Sequence, residues 1–238
     1  ISPAFPAAEE PDEDNDDHFD PVAGHGTFIA GLIDRIAPGS RLEVHGLLTP
    51  KGLASEVDIA ATLDLITARA DDERPALVNL SFGGYTPVDM GRLAEAVRTL
   101  QGTGTVVVAS AGNDATCRPS FPAALPGVVA VGALGPHGPA HFTNYGPWVR
   151  ACAPGVDIVS TFFTGFTPAA GDEELKEWVR WSGTSFAAPA VVGALARAMR
   201  DGVPTAREAV ERVIDDPGLL RIPSLGTVVN QAPWFVRT

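Results

Sequence analysis

Thr105 to Ala109 and Val128 to Ala133 contain, after Thr105, no residue that would turn towards water. A strand of that kind must be covered on both faces, and burial on both faces is a property of parallel sheets wrapped by helices. Ala76–Leu80 is a third such run, and Leu42–Leu48 is expected to be a strand as well. Helical spacing fills the gaps between them. Ser55–Ala70 carries Val57, Ile59, Ala60, Leu63 and Ile66, with Ser55 placed as N-cap, and Val88–Leu100 puts Leu93, Ala96, Val97 and Leu100 on one face. Helical patterns return over Thr184–Arg200 and Thr205–Ile214. The alternation predicts an α/β chain of three layers, a mostly parallel central sheet with helices on both faces. No repeat or linker divides it, so residues 1–238 read as one domain.

The formal charge is −12, and a surface that acidic repels phosphate backbones, so nucleic acid is not an expected partner. Eight of the carboxylates fall between Glu9 and Asp20. Residues 9–20 are therefore expected to form a solvated acidic surface loop. Calcium is the functional alternative there, but the spacing lacks the central glycine of an EF-hand loop. No apolar run approaches the roughly 18 residues of a membrane span, and Ile1-Ser2-Pro3-Ala4-Phe5-Pro6 has none of the features of a secretory leader.

Three residues have settings suited to chemistry. Ser185 follows Ser182-Gly183-Thr184 at the start of a helix, where unpaired N–H groups and the helix dipole would stabilise an oxyanion; Ser182 and Ser185 read equally well as plain caps. His25 lies in Gly24-His25-Gly26-Thr27, where flanking glycines let its ring approach another segment. His18, His45, His137 and His141 have no comparable setting. Asn113 follows a buried strand in Ala111-Gly112-Asn113, at the strand end where open α/β sheets bind ligands, although Gly-Asn also suits an ordinary turn.

In the order His25, Asn113, Ser185, these blocks resemble the subtilisin-like serine proteases (subtilases, peptidase S8 type). Val78-Asn79-Leu80-Ser81-Phe82-Gly83-Gly84, Phe121-Pro122-Ala123, Ala153-Pro154-Gly155 and Gly183-Thr184-Ser185-Phe186-Ala187-Ala188-Pro189 carry the likeness, over roughly residues 1 to 215. It implies a subtilisin-like fold and a serine endopeptidase acting on polypeptide. Ser185 would be the nucleophile, His25 the general base and Asn113 an oxyanion donor. Ser81, Phe82, Gly83 and Gly84 would pair with extended substrate. Ala111 and Gly112 would line the far wall of the pocket for P1, the side chain preceding the scissile bond, with Ser120 near its base. Nothing charged stands among these, so a neutral or apolar P1 residue is expected. A catalytically silent peptide-binding member of the fold and a non-proteolytic acyl-transfer enzyme are the alternatives.

Family members often carry a calcium loop inserted in the helix after the His. Here Asp34-Arg35-Ile36 passes directly to Ala37-Pro38, so that site is not expected, and the chemistry requires neither metal nor cofactor. Cys117 and Cys152 are expected to be bridged in an oxidising compartment, closing a loop of about 36 residues worth roughly 3–4 kcal/mol. Secretion follows from that expectation, with the cytoplasm as the alternative. A Ser–His pair also needs a carboxylate on the imidazole. In the family it ends the first core strand, in an Asp-Thr-Gly-Ile/Val motif ahead of the His. No such motif occurs in the chain, and Ile1-Ser2-Pro3 reads like its tail. The domain is thus expected to be N-terminally incomplete, lacking its first strand, with the Asp three residues before Ile1. A propeptide or missing N-terminal segment is the corresponding partner.

Overall fold

The apolar runs pair as a two-sided burial pattern demands. In the computed structural model, which describes residues 11–86, 91–164 and 177–229, strands β1 (Leu77–Leu80), β2 (Val106–Ser110), β3 (Val129–Gly135) and β5 (Ala151–Pro154) lie side by side and parallel. The short β4 (Gly138–Pro139) folds back antiparallel on β3. Beyond β5 the sheet continues through β9 (Gly226–Val228) to β8 (Arg221–Ile222).

Side chains alternate across the sheet and build a separate core on each face. Val108, Val131 and Ala153 turn to helices α1 (His25–Ile36), α4 (Thr184–Arg200) and α5 (Ala206–Val210). Val107, Ala109 and Ala130 turn to α2 (Glu56–Thr67) and α3 (Gly91–Gly102). This is the expected three-layer arrangement. Ser55 caps α2 by accepting from the Asp58 N–H at 3.3 Å, with Glu56 and Asp58 in the first turn favouring the helix dipole. Thr205 caps α5, whose continuation at Glu211–Asp215 widens to a π turn.

Helix α4 crosses α1 at Gly193. A Cβ there would stand 2.7 Å from the Cβ of Ile36, so only glycine permits the two backbones to approach this closely. That crossing fixes the start of α1 relative to the start of α4.

Three expectations are corrected or extended. Leu42–Leu48 is not a strand; its backbone makes no ladder among the described residues, because β1 pairs on one side only, with β2. Sequence spacing also gave no sign of the antiparallel pair β6 (Ile158–Thr161) and β7 (Trp178–Trp181), which packs beside α1. Cys117 and Cys152 are free thiols, not a disulfide. Cys152 points into the core below β5 with Sγ 3.7 Å from the Thr227 carbonyl, while Cys117 lies on an exposed loop.

The described part of the acidic segment, 11–20, is a loop of bends in which Asp12 accepts from the N–H groups of Asp16 and Asp17. Asp12, Asp14 and Asp20 bring carboxylate oxygens within 4.8 Å of one another, and Lys51 pairs with Asp14 at 2.7 Å.

Candidate active site

Ser185 is the second residue of α4, and its surroundings follow from Pro189 four residues on. Proline has no N–H to close the helical bond to the Ser185 carbonyl. That carbonyl instead accepts the Ser81 hydroxyl at 2.8 Å, and the Ser185 hydroxyl donates to the Ser81 carbonyl at 3.3 Å. Asn79 Nδ2 donates to Ser81 Oγ at 2.9 Å. The end of β1 and the start of α4 are thus tied by a reciprocal pair of serines.

Asn113, on the loop after β2, is turned by its acceptor end towards α4. Its Oδ1 accepts from both the backbone N–H and the hydroxyl of Thr184, each at 2.9 Å. Gly183 offers no side-chain cap, so Asn113 caps the helix from another part of the chain. Its Nδ2 stands 3.7 Å from a Cβ built on Gly183, on the Ser185 side of the loop.

His25 opens α1. Hydrogen bonds from Thr161 Oγ1 to the Thr27 carbonyl (3.0 Å) and from Ser160 Oγ to the Phe28 carbonyl (2.8 Å) pin that first turn to β6. The imidazole lies edge-on to Trp181, with ring centres 5.9 Å apart, and 5.6 Å from Phe186. Phe28 fills in beneath, 4.5 Å from Phe186. Burial in this aromatic setting pushes the His25 pKa down to about 4, so the ring is neutral at pH 7. Among the described residues no carboxylate pairs with His25, and Ser185 Oγ is bonded to Ser81.

Segments 81–84 and 111–112 face each other across Ser120 beside the start of α4, as two walls of a trough. On one side Gly84 exchanges backbone hydrogen bonds with Phe121 at 3.0 and 2.9 Å, while Phe82 turns its ring into the α2–α3 core. On the other run Ala111 and Gly112. Ser120 is buried between them: its Oγ is 2.8 Å from a Cβ built on Gly83 and 3.7 Å from one built on Gly112. The structure therefore gathers His25, Ser185 and Asn113 around the start of α4, and Ser81, Gly83, Gly84, Ala111, Gly112 and Ser120 around the adjoining trough. It adds Thr184, Trp181, Phe186, Tyr85, Asp114 and Asn144, whose roles arise from contacts between distant segments. Of these, Thr184 and Phe186 lay within a motif visible in the sequence.

A groove of about 560 Å³ lies between residues 41–48 and the open edge of β1. Ile29 and Ile33 of α1 and Leu63 and Ile66 of α2 line it, and His25 borders it. Asn79 Oδ1, buried and without a hydrogen-bond partner among the described residues, is on a residue of the same lining.

Comparison with known proteins follows this geometry. Residues 3–214 match the model of the Subtilase family. The chain is 34% identical over 216 residues to the thermophilic serine proteinase of Bacillus sp. (strain AK1), covering 84% of this chain and 49% of that protein. It is 34% identical over 180 residues to the extracellular serine proteinase of Thermus sp. (strain Rt41A), covering 73% and 40%. The chain spans about half the length of the curated relatives it matches. A crystal structure of a cold adapted subtilisin-like serine proteinase superposes with a TM-score of 0.74 at 22% identity, covering 92% of this chain and 78% of that one, which supports the fold.

Proposed function

Because the chain belongs to the subtilase family, we propose that it is a serine endopeptidase that cleaves polypeptides through an acyl-enzyme on Ser185. The observation that carries this reading is the convergence of His25, Asn113 and Ser185 at the start of α4. Neutral His25 takes the Ser185 proton as Oγ attacks the scissile carbonyl. The Asn113 amide and the Ser185 backbone N–H, at the positive end of α4, stabilise the oxyanion. His25 then gives the proton to the leaving amine, and water hydrolyses the ester by the same steps reversed. Attack requires the Ser185 hydroxyl to turn from the Ser81 carbonyl to the imidazole. None of these steps needs a cofactor.

The triad carboxylate belongs, in this proposal, to an extended strand occupying the groove beside His25. The open edge of β1, the apolar lining from α1 and α2 and the unpaired Asn79 Oδ1 all support a backbone lying there. The protein acts outside the cell, a reading supported by the extracellular relative from Thermus; no helix of the described residues is long and apolar enough to cross a membrane.

A fluorophosphonate probe tests the activity. It is expected to label the full-length protein and to lose its site in Ser185→Ala. An unlabelled Ser185 in folded full-length protein would overturn the endopeptidase reading. Replacing the acidic residue of that strand by its amide is expected to cost about 10⁴ in turnover, and an active full-length protein with no carboxylate in the groove beside His25 would overturn its placement.

A further inference from the structure

Both walls of the trough are joined by a side chain that neither motif contains. Tyr85 extends from the end of the 81–84 segment, and its hydroxyl donates to the Asp114 carboxylate on the opposite wall at 2.7 Å. The same oxygen accepts from Asn144 Nδ2, also at 2.7 Å. Asn144 is fully buried beneath the second wall: its Nδ2 also donates to the Ala111 carbonyl at 2.9 Å, and its Oδ1 accepts from the N–H groups of Asp114 and Thr116. A Cβ on Gly112 would come within 2.3 Å of that Nδ2, so the Tyr85 hydroxyl is anchored directly under the backbone that faces the trough. The Arg118 guanidinium lies over the phenol ring, 4.7 Å from its centre.

We propose that Tyr85 is a specificity-determining residue: bridging the two walls, it closes the far end of the P1 trough and restricts cleavage to positions after small, uncharged side chains. The proposal rests on the endopeptidase reading and adds the substrate class to it. Two physical consequences lead there. The phenol reaches from the 81–84 wall to Asp114 and Asn144 of the other, so on this proposal it stands in the way of a long or aromatic P1 side chain, and Ser120 Oγ already lies between the walls. Asp114, the carboxylate on that wall among the described residues, is engaged by the Tyr85 hydroxyl, and Arg118 lies over the phenol, so Asp114 offers no bare negative charge to a basic P1 side chain. The half-buried phenol keeps its proton, since burial and the Asp114 bond both raise its pKa.

Chromogenic peptide amides differing only at P1 (Ala, Leu, Phe, Lys), turned over by full-length protein, test the idea. The wild type is expected to favour Ala over Phe and Lys by at least tenfold in kcat/KM, a range that steric exclusion commonly reaches. Tyr85→Gly is expected to raise the Phe-to-Ala ratio at least tenfold by opening the trough. Should Tyr85→Gly not fold, Tyr85→Phe keeps the ring and removes only the hydroxyl. It is expected to leave the Phe-to-Ala ratio low and to raise the Lys-to-Ala ratio by releasing Asp114. A wild type that prefers Phe or Lys, or ratios that neither variant moves, overturns the role of Tyr85 while leaving the endopeptidase reading intact. Full-length protein whose Ser185 takes no fluorophosphonate label overturns both.

Discussion

Asn113 serves two ends of one amide, and the two can be separated. Its oxygen holds the N–H and hydroxyl of Thr184, a residue with no exposed surface; its nitrogen is the proposed oxyanion donor. Asn113→Ala removes both functions. A buried N–H left without an acceptor costs about 1–3 kcal/mol. For a chain of this size each kcal/mol is worth about 2–4 °C in Tm, so a loss near 2 kcal/mol predicts a fall of roughly 4–8 °C. Loss of the donor predicts a fall of about 10²–10³ in kcat with little change in KM. Asn113→Asp keeps the acceptor, and its charge suits the helix N-terminus. It should hold Tm within about 2 °C of wild type while losing at least as much turnover. Thermal melting and peptide kinetics on the two variants provide the readout. Equal Tm losses for Ala and Asp would refute the cap, and undiminished turnover in Asn113→Ala would refute the donor.

Burial makes His25 a pH-dependent load on the fold. Between pH 6.5 and about 4 the unfolded chain binds a proton that native His25 does not. Stability present above pH 6.5 is therefore lost as pH falls towards 4, by about 3 kcal/mol in all. Urea midpoints at pH 7.5 and 4.5 should converge partway in His25→Gln of the 238-residue chain; an unchanged pH dependence would contradict the burial argument. A thiol reagent should modify exposed Cys117 in the folded protein and spare Cys152, whose thiol burial pushes up to about 12, until the chain unfolds. Two unreactive cysteines in denaturant without reductant would mean that they are bridged after all.

What could be seen in the sequence, and what could not, divides by the range of the interactions. β2 and β3 were legible because strands buried on both faces advertise themselves residue by residue. His25, Asn113 and Ser185 were legible because each sits in a small-residue block that a tight approach requires. Leu42–Leu48 has the composition of a strand, yet composition does not supply a ladder partner. The cysteines misled for a related reason: spacing gives loop length but not side-chain direction, and Cys152 faces the core. The Tyr85–Asp114 bond spans 29 residues and the Ser81–Ser185 exchange 104. No local pattern signals either, and they are the contacts that join the trough walls and hold Ser185.

The position of α4 in the chain has a consequence for biosynthesis. It covers β1, β2, β3 and β5 on one face, yet it follows all four in sequence. As the polypeptide emerges from the ribosome, that face has no lid until residues 184–200 are outside, so the nascent sheet is a natural client for chaperones. Ser185 arrives on the same late element. His25 and the start of α4 come together, through Phe186, only when α4 closes over the strands and crosses α1 at Gly193. On the proposed endopeptidase reading, an incompletely folded chain would therefore have no assembled centre with which to attack other nascent copies.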